Sequence, residues 1–262
     1  TLKLKTNIGK YKFVQSNNND ILITNDEIIL NNIELSAVTT PQESPENWFT
    51  WDNSGTQITG LSDIGLNQKR IVLPSKATSI ANNTFYNNKT LVSVDMSLTK
   101  ITSIFNGVSN GVGTFRGSYN IISITLPPSL TLIGYGAFYS CRSLTSINIP
   151  DSVTSIGDYA FRDCSSLTSI NIPDGVTSIG AYTFYNCSSL TSITIPDSVT
   201  LIRSYTFNGC SSLTSITMPN SVTSIGTRVF TNVPSTCVMN VSSTWDRTLA
   251  TNAGYEGIFV VD

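Results

Sequence analysis

The sequence predicts a solenoid, mainly β, in which short parallel strands stack and the chain returns between them through irregular or 3-10 segments. Three observations predict it. From Leu144 a 23-residue pattern recurs almost letter for letter, and written from Leu167 it reads Leu-x-x-Ile-x-Ile-Pro-x-x-Val-x-x-Ile-Gly-x-x-x-Phe-x-x-Cys-x-x. Seven phenylalanines, Phe85, Phe115, Phe138, Phe161, Phe184, Phe207 and Phe230, keep that period in every gap but the first. Charged residues are only 12% of the 262-residue chain, against roughly 25% in ordinary soluble domains. A unit this small buries its apolar face only by stacking on its neighbours.

Residues 1–57 lack the repeat and are expected to form a small β-rich cap. Short β-rich runs flank the turn Asn17-Asn18-Asn19-Asp20, and Trp48-Phe49-Thr50-Trp51 reads as an aromatic plug against the end of a stacked core. Residues 58–235 form the solenoid. Its first Phe interval is 30 residues, and the excess falls near 105–113, where Asn106-Gly107 and Asn110-Gly111 favour a surface loop. Residues 236–262 read as a C-terminal cap, with a short helix from Trp245 capped by Ser242, Ser243 or Thr244 and a last strand at 257–261.

Within one unit, residues 167–172 are expected to be a strand with Leu167, Ile170 and Ile172 inward, ended by Pro173. Val176, Ile179, Phe184 and Cys187 complete the core. Gly180 is expected to take a positive φ, so that at Arg203, its equivalent one unit on, either the turn is not left-handed or the residue carries about 1 kcal/mol of strain. Cys141, Cys164, Cys187 and Cys210 are expected as a column of buried free thiols, since parallel side chains disfavour a disulfide and a 23-residue spacing does not suit zinc. Cys237 is the one thiol expected to be exposed or in the cap.

Composition excludes several function classes. The chain has no His, and its net charge is −2. It has no phosphate loop and no basic run, so no catalytic residue, metal site or cofactor is assigned and nucleic acid is not an expected partner. No apolar run reaches the roughly 20 residues that insert in a membrane.

Stacked parallel strands place their outward side chains in columns. The first holds Val92, Ile122, Thr145, Thr168, Thr191, Thr214 and Cys237, and the second Ser93, Ser123, Ser146, Ser169, Ser192 and Ser215. The third holds Asp95, Thr125, Asn148, Asn171, Thr194, Thr217 and Asn240. This wall of uncharged hydroxyls and amides suits repeated weak contact with an extended polymer. A specific ligand site is expected at its less regular N-terminal end, at Val92, Ser93, Asp95, Ile122, Ser123 and Thr125, with Phe105, Asn106 and Asn110 of the inserted loop beside it. Tyr159, Tyr182 and Tyr205 are expected as a packed, half-exposed stack.

The Ile-Pro-Asp-Ser-Val-Thr-Ser-Ile-Gly and Phe-x-x-Cys segments resemble the BspA-like branch of the leucine-rich repeat family over residues 71–230. The resemblance implies parallel strands on a concave face, a surface or secreted location, and adhesion to a protein or glycan of host or neighbouring cells. It implies no catalytic residues. The rival expectation is a passive structural or antigenic spacer.

Overall fold

The computed structural model describes residues 2–5, 21–24, 27–30, 42–104 and 113–261. The chain divides into two compact units, Thr1–Gln42 and Glu43–Asp262. In the first, strands Leu2–Lys5 and Ile21–Thr24 flank Glu27–Leu30 in an antiparallel sheet. The turn at Asn17 to Asp20 lies outside the described residues.

The second unit opens before the boundary read from the sequence. Phe49–Trp51 pairs antiparallel with Gln57–Leu61, and Phe49 is buried in the common core with Trp48 and Trp51 packed against it. Residues 43–57 therefore fold with the repeats.

Each coil of this unit has three sides. The first carries nine strands among the described residues: Arg70–Val72, Ser93–Asp95, Ser123–Thr125, Ser146–Ile147, Ser169–Ile170, Ser192–Thr194, Ser215–Thr217, Val238–Val241 and Ile258–Val261. Their pairing is parallel and in register with the repeat, as in Ser192 against Ser215 and Thr194 against Thr217. The strands have two to four residues rather than six, because Leu167 N–H bonds to Cys164 O inside its own turn at 3.1 Å. The return segments are in part regular, with Ser155–Ile156, Ser178–Ile179 and Leu201–Ile202 among the strands of a second parallel ladder. Val176 and Ile179 point inward there as expected, while Thr177 stays exposed.

The third side is built of turns. Tyr159, Phe161 and Asp163 donate their N–H groups to Ala181, Thr183 and Tyr185 of the next coil, at 2.9, 2.9 and 2.8 Å. Pointing alternate peptides at the neighbouring coil needs left-handed residues, and these are Tyr159 at φ 62° and Asp163 at φ 58°, repeated at Tyr182 and Asn186. This corrects the expectation for Gly180, which is not left-handed. Glycine is needed there because a Cβ would lie 2.8 Å from Asp158 N of the preceding coil. Arg203 likewise carries no positive φ and no strain of that kind.

The core is one continuous cluster holding Leu167, Ile170, Ile172, Val176, Ile179, Phe184 and Cys187 with their equivalents. The seven phenylalanines form a ladder with centroids 4.9 to 6.0 Å apart and planes within 17°. The thiols of Cys141, Cys164, Cys187 and Cys210 each donate to a Phe carbonyl of the preceding coil, as Cys187 Sγ to Phe161 O at 3.2 Å. All five cysteines are free, and Cys237, expected to be exposed or in the cap, is buried in the C-terminal segment. It sits beneath Tyr255, whose hydroxyl donates to Cys237 O at 2.8 Å while its ring meets Phe230 edge-on at 5.4 Å.

The last strand is Ile258–Val261, close to expectation. The helix is Thr248–Asn252, and its start is held by Asp246, which accepts from Thr248 N at 3.0 Å, rather than by Ser242, Ser243 or Thr244. Among the described residues no helix is long and apolar enough to cross a membrane.

Candidate functional site

The outward columns of the first side sit where alternation places them, except that Cys237, read as the last member of the first column, turns into the core. Ile147, Ile170, Ile193 and Ile216 turn inward, which leaves Asn148, Asn171, Thr194 and Thr217 exposed on the other phase of the strand. Ser146, Ser169 and Ser192 are also exposed, and Ser215 is half-buried. Thr145, Thr168, Thr191 and Thr214 are exposed one residue earlier, at the corner where the chain enters the strand.

The columns differ in what they can offer a ligand. Thr168, Thr191 and Thr214 each donate their hydroxyl to the carbonyl of the preceding threonine, at 3.1, 3.2 and 2.9 Å. Those protons are used inside the protein, leaving lone pairs. Replacing Thr191 by Val is therefore expected to cost about 0.5–1.5 kcal/mol in urea unfolding; an unchanged midpoint would show that the bond adds nothing. Asn148, Asn171, Thr194 and Thr217 make no side-chain hydrogen bond among the described residues, so their donors and acceptors are open at one set per coil, about 4.8 Å apart.

At the N-terminal end, Ser93 pairs with Ser123 and Asp95 with Thr125, bringing those four onto two adjacent coils. Ile122 is 49% exposed and Val92 is half-buried beside it, linked by Ile122 N to Val92 O at 2.8 Å. Asp95 Oδ1 accepts from Ser97 N at 2.8 Å, which fixes the carboxylate on its own turn. Phe105, Asn106 and Asn110 lie outside the described residues. The flanking positions, Ile104 on the second side and Gly113 at the start of the third, place the loop's anchors at a corner away from the first side.

The tyrosine stack expected from the sequence is present, with Tyr159, Tyr182 and Tyr205 at 4.8 and 4.6 Å and planes within 7°. Burial first, and neighbouring tyrosines second, raise the hydroxyl pKa of Tyr159 and Tyr182. The sequence reading missed Tyr135, Tyr139 and Tyr185 and the arginines among them. Their signal was present in Arg116, Tyr139, Arg162 and Tyr185, which hold one repeat position with alternating residue types. Among the described residues, no group of three or more Cys, Asp or Glu is placed to hold a metal ion.

Comparison with known proteins agrees with this architecture. The family model described as "BspA type Leucine rich repeat region" matches in six copies over residues 48–134 and 108–238. A leucine-rich repeat protein of T. pallidum is 26% identical, with a TM-score of 0.63 over 84% of this chain and 100% of its own. One from Bacteroides ovatus is 24% identical, with a TM-score of 0.61 over 90% of this chain and 62% of its own. A leucine-rich cell surface protein of Faecalibacterium prausnitzii is 28% identical, with a TM-score of 0.52 over 77% of this chain and 55% of its own. No curated protein sequence matches.

Proposed function

Since the chain belongs to the BspA-type leucine-rich repeat family, we propose that it is a cell-surface or secreted binding module that holds a protein or glycan of host or neighbouring cells on its first side. The observation that carries this reading is the open column Asn148, Asn171, Thr194 and Thr217, four sets of unspent polar groups in register. Each contact with an extended polymer is weak, and the repeat multiplies them. Ile122 and Val92, where other coils have threonine, add an apolar anchor at one end, with Ser93, Asp95, Ser123 and Thr125 around it. The description of the F. prausnitzii relative as a cell surface protein supports the location.

The test is a matrix-protein and glycan array probed with the whole chain, then with Asn148→Ala, Asn171→Ala, Thr194→Ala and Thr217→Ala combined, and separately with Ile122→Thr. A retained fold and at least about a tenfold loss of signal in the fourfold variant is the expected result. Undiminished binding would move the site elsewhere. Binding to no component at all would favour the structural spacer, which the internally spent threonine hydroxyls also fit.

A further inference from the structure

We propose that the third side of the solenoid is a second interaction surface, one that takes an extended acidic segment of a protein. Two columns run side by side along it. One is the stack of Tyr159, Tyr182 and Tyr205. In the other, arginine and tyrosine alternate from coil to coil: the Arg116 guanidinium lies 4.4 Å from the Tyr139 ring centre, and Arg162 lies 5.3 Å from Tyr139 and 4.7 Å from Tyr185. Arg142 sits over Tyr119 at 5.1 Å, and Arg228 closes the tyrosine stack at 6.0 Å from Tyr205.

The balance of charge on this side is positive and largely unpaired. Of Arg116, Arg142, Arg162, Arg203 and Arg228, only Arg162 meets a carboxylate among the described residues, Asp163 at 3.4 Å. That carboxylate also accepts from Asn186 Nδ2 at 3.0 Å, and the second acid, Asp158, accepts from Ala181 N at 2.8 Å. Both acids are engaged by the protein's own groups. Arg228 spends one Nη1–H on the Tyr205 hydroxyl at 3.4 Å and Arg162 its Nε–H on Asp163, so each keeps other N–H groups to donate. Guanidinium groups held against rings in this way lose little freedom when they grip a carboxylate.

The residue types favour a protein over other polyanions. From residue 101 to the end every cation is arginine and none is lysine, and tyrosine with arginine is the composition of protein interface hot spots, where lysine is depleted. The tyrosine faces are turned onto one another, so they offer edges and hydroxyls and no open ring on which a sugar would stack. From Arg116 to Arg228 the surface covers five coil steps, about 24 Å, the reach of roughly eight extended residues.

The probe is a fluorescent peptide of about ten residues rich in Asp and Glu, compared with its Asn and Gln counterpart, heparin and anionic lipid vesicles, at low and physiological salt. Saturable binding of the acidic peptide is expected, weakened at least about tenfold by exposed-residue variants Arg142→Gln with Arg228→Gln. Arg116→Gln, checked for an unchanged melting curve, should weaken it independently. The first-side variants Asn148→Ala and Asn171→Ala should leave it unchanged, so failure here and failure of the first-side reading are separately visible. No saturable binding, equal binding of the amide peptide, indifference to the arginine substitutions, or capture of heparin or vesicles without the peptide would each overturn the proposal.

Discussion

Replacing Phe184 by Ala is expected to lower the unfolding free energy by about 3–5 kcal/mol, the range for truncating a wholly buried phenylalanine. Phe184 stacks on Phe161 and Phe207 at 5.7 Å on either side, with planes 9° and 2° apart, and it is fully buried. The cavity opens between coils, where neither neighbour can move in without breaking the third-side hydrogen bonds from Phe161 N to Thr183 O and from Phe184 N to Thr206 O. Because coils are coupled mainly to their nearest neighbours, a lesion in mid-array also threatens cooperativity between its halves. Urea unfolding followed by circular dichroism measures both effects. Phe184→Leu should recover much of the loss, as near-conservative core swaps usually cost under about 1.5 kcal/mol. A loss below about 1 kcal/mol for Ala would mean that the ladder is not what couples the coils.

Alkaline pH is expected to unfold the solenoid through its thiols. Desolvation by burial pushes Cys210 up to about 12 and leaves Cys141 and Cys187 well above the ordinary value of 9.0, with Cys164 raised for the same main reason. A folded pKa above the unfolded one stabilises fully below the unfolded value. As pH climbs past 9, the unfolded chain releases protons that the folded chain keeps, and stability falls. Each fully buried thiol then contributes a loss of about 1 kcal/mol between pH 9 and 10, about 4 kcal/mol for the four. Urea midpoints at pH 8, 9 and 10 read this directly, and Cys187→Ala should remove about a quarter of the fall. A flat midpoint over that range would show that the thiols are not buried as a set. The same burial predicts that a disulfide reagent labels the cysteines only after unfolding.

Most of the interior was legible from the order of residues alone. The period of two in Leu-x-x-Ile-x-Ile and the period of 23 in Phe and Cys are enough to say which side chains face in, because an apolar side chain repeated at one phase of every coil has one place to hide. Ile170, Phe161 and Cys187 are buried for that reason, and Thr168 and Asn171 are exposed for the same one. The outward columns followed, as did the Tyr159, Tyr182 and Tyr205 stack.

What only the tertiary structure decided depends on the distance and angle between coils, which no single repeat encodes. Gly180 is small because the preceding coil passes close beneath it, while the left-handed turns fall to residues such as Tyr159, Asp163, Tyr182 and Asn186 so that alternate N–H groups can reach the next coil. The hydroxyls of Thr168, Thr191 and Thr214 point at carbonyls 23 residues away, which takes the donors of that one column out of the outward set. Arg116, Tyr139, Arg162 and Tyr185 share a repeat position without sharing a residue type, so pattern matching discards them as variation. Stacking places them in one column and makes them ring and cation neighbours. Sequence sets which way each side chain faces; the spacing and phase of the stacked coils set which groups remain free to bind.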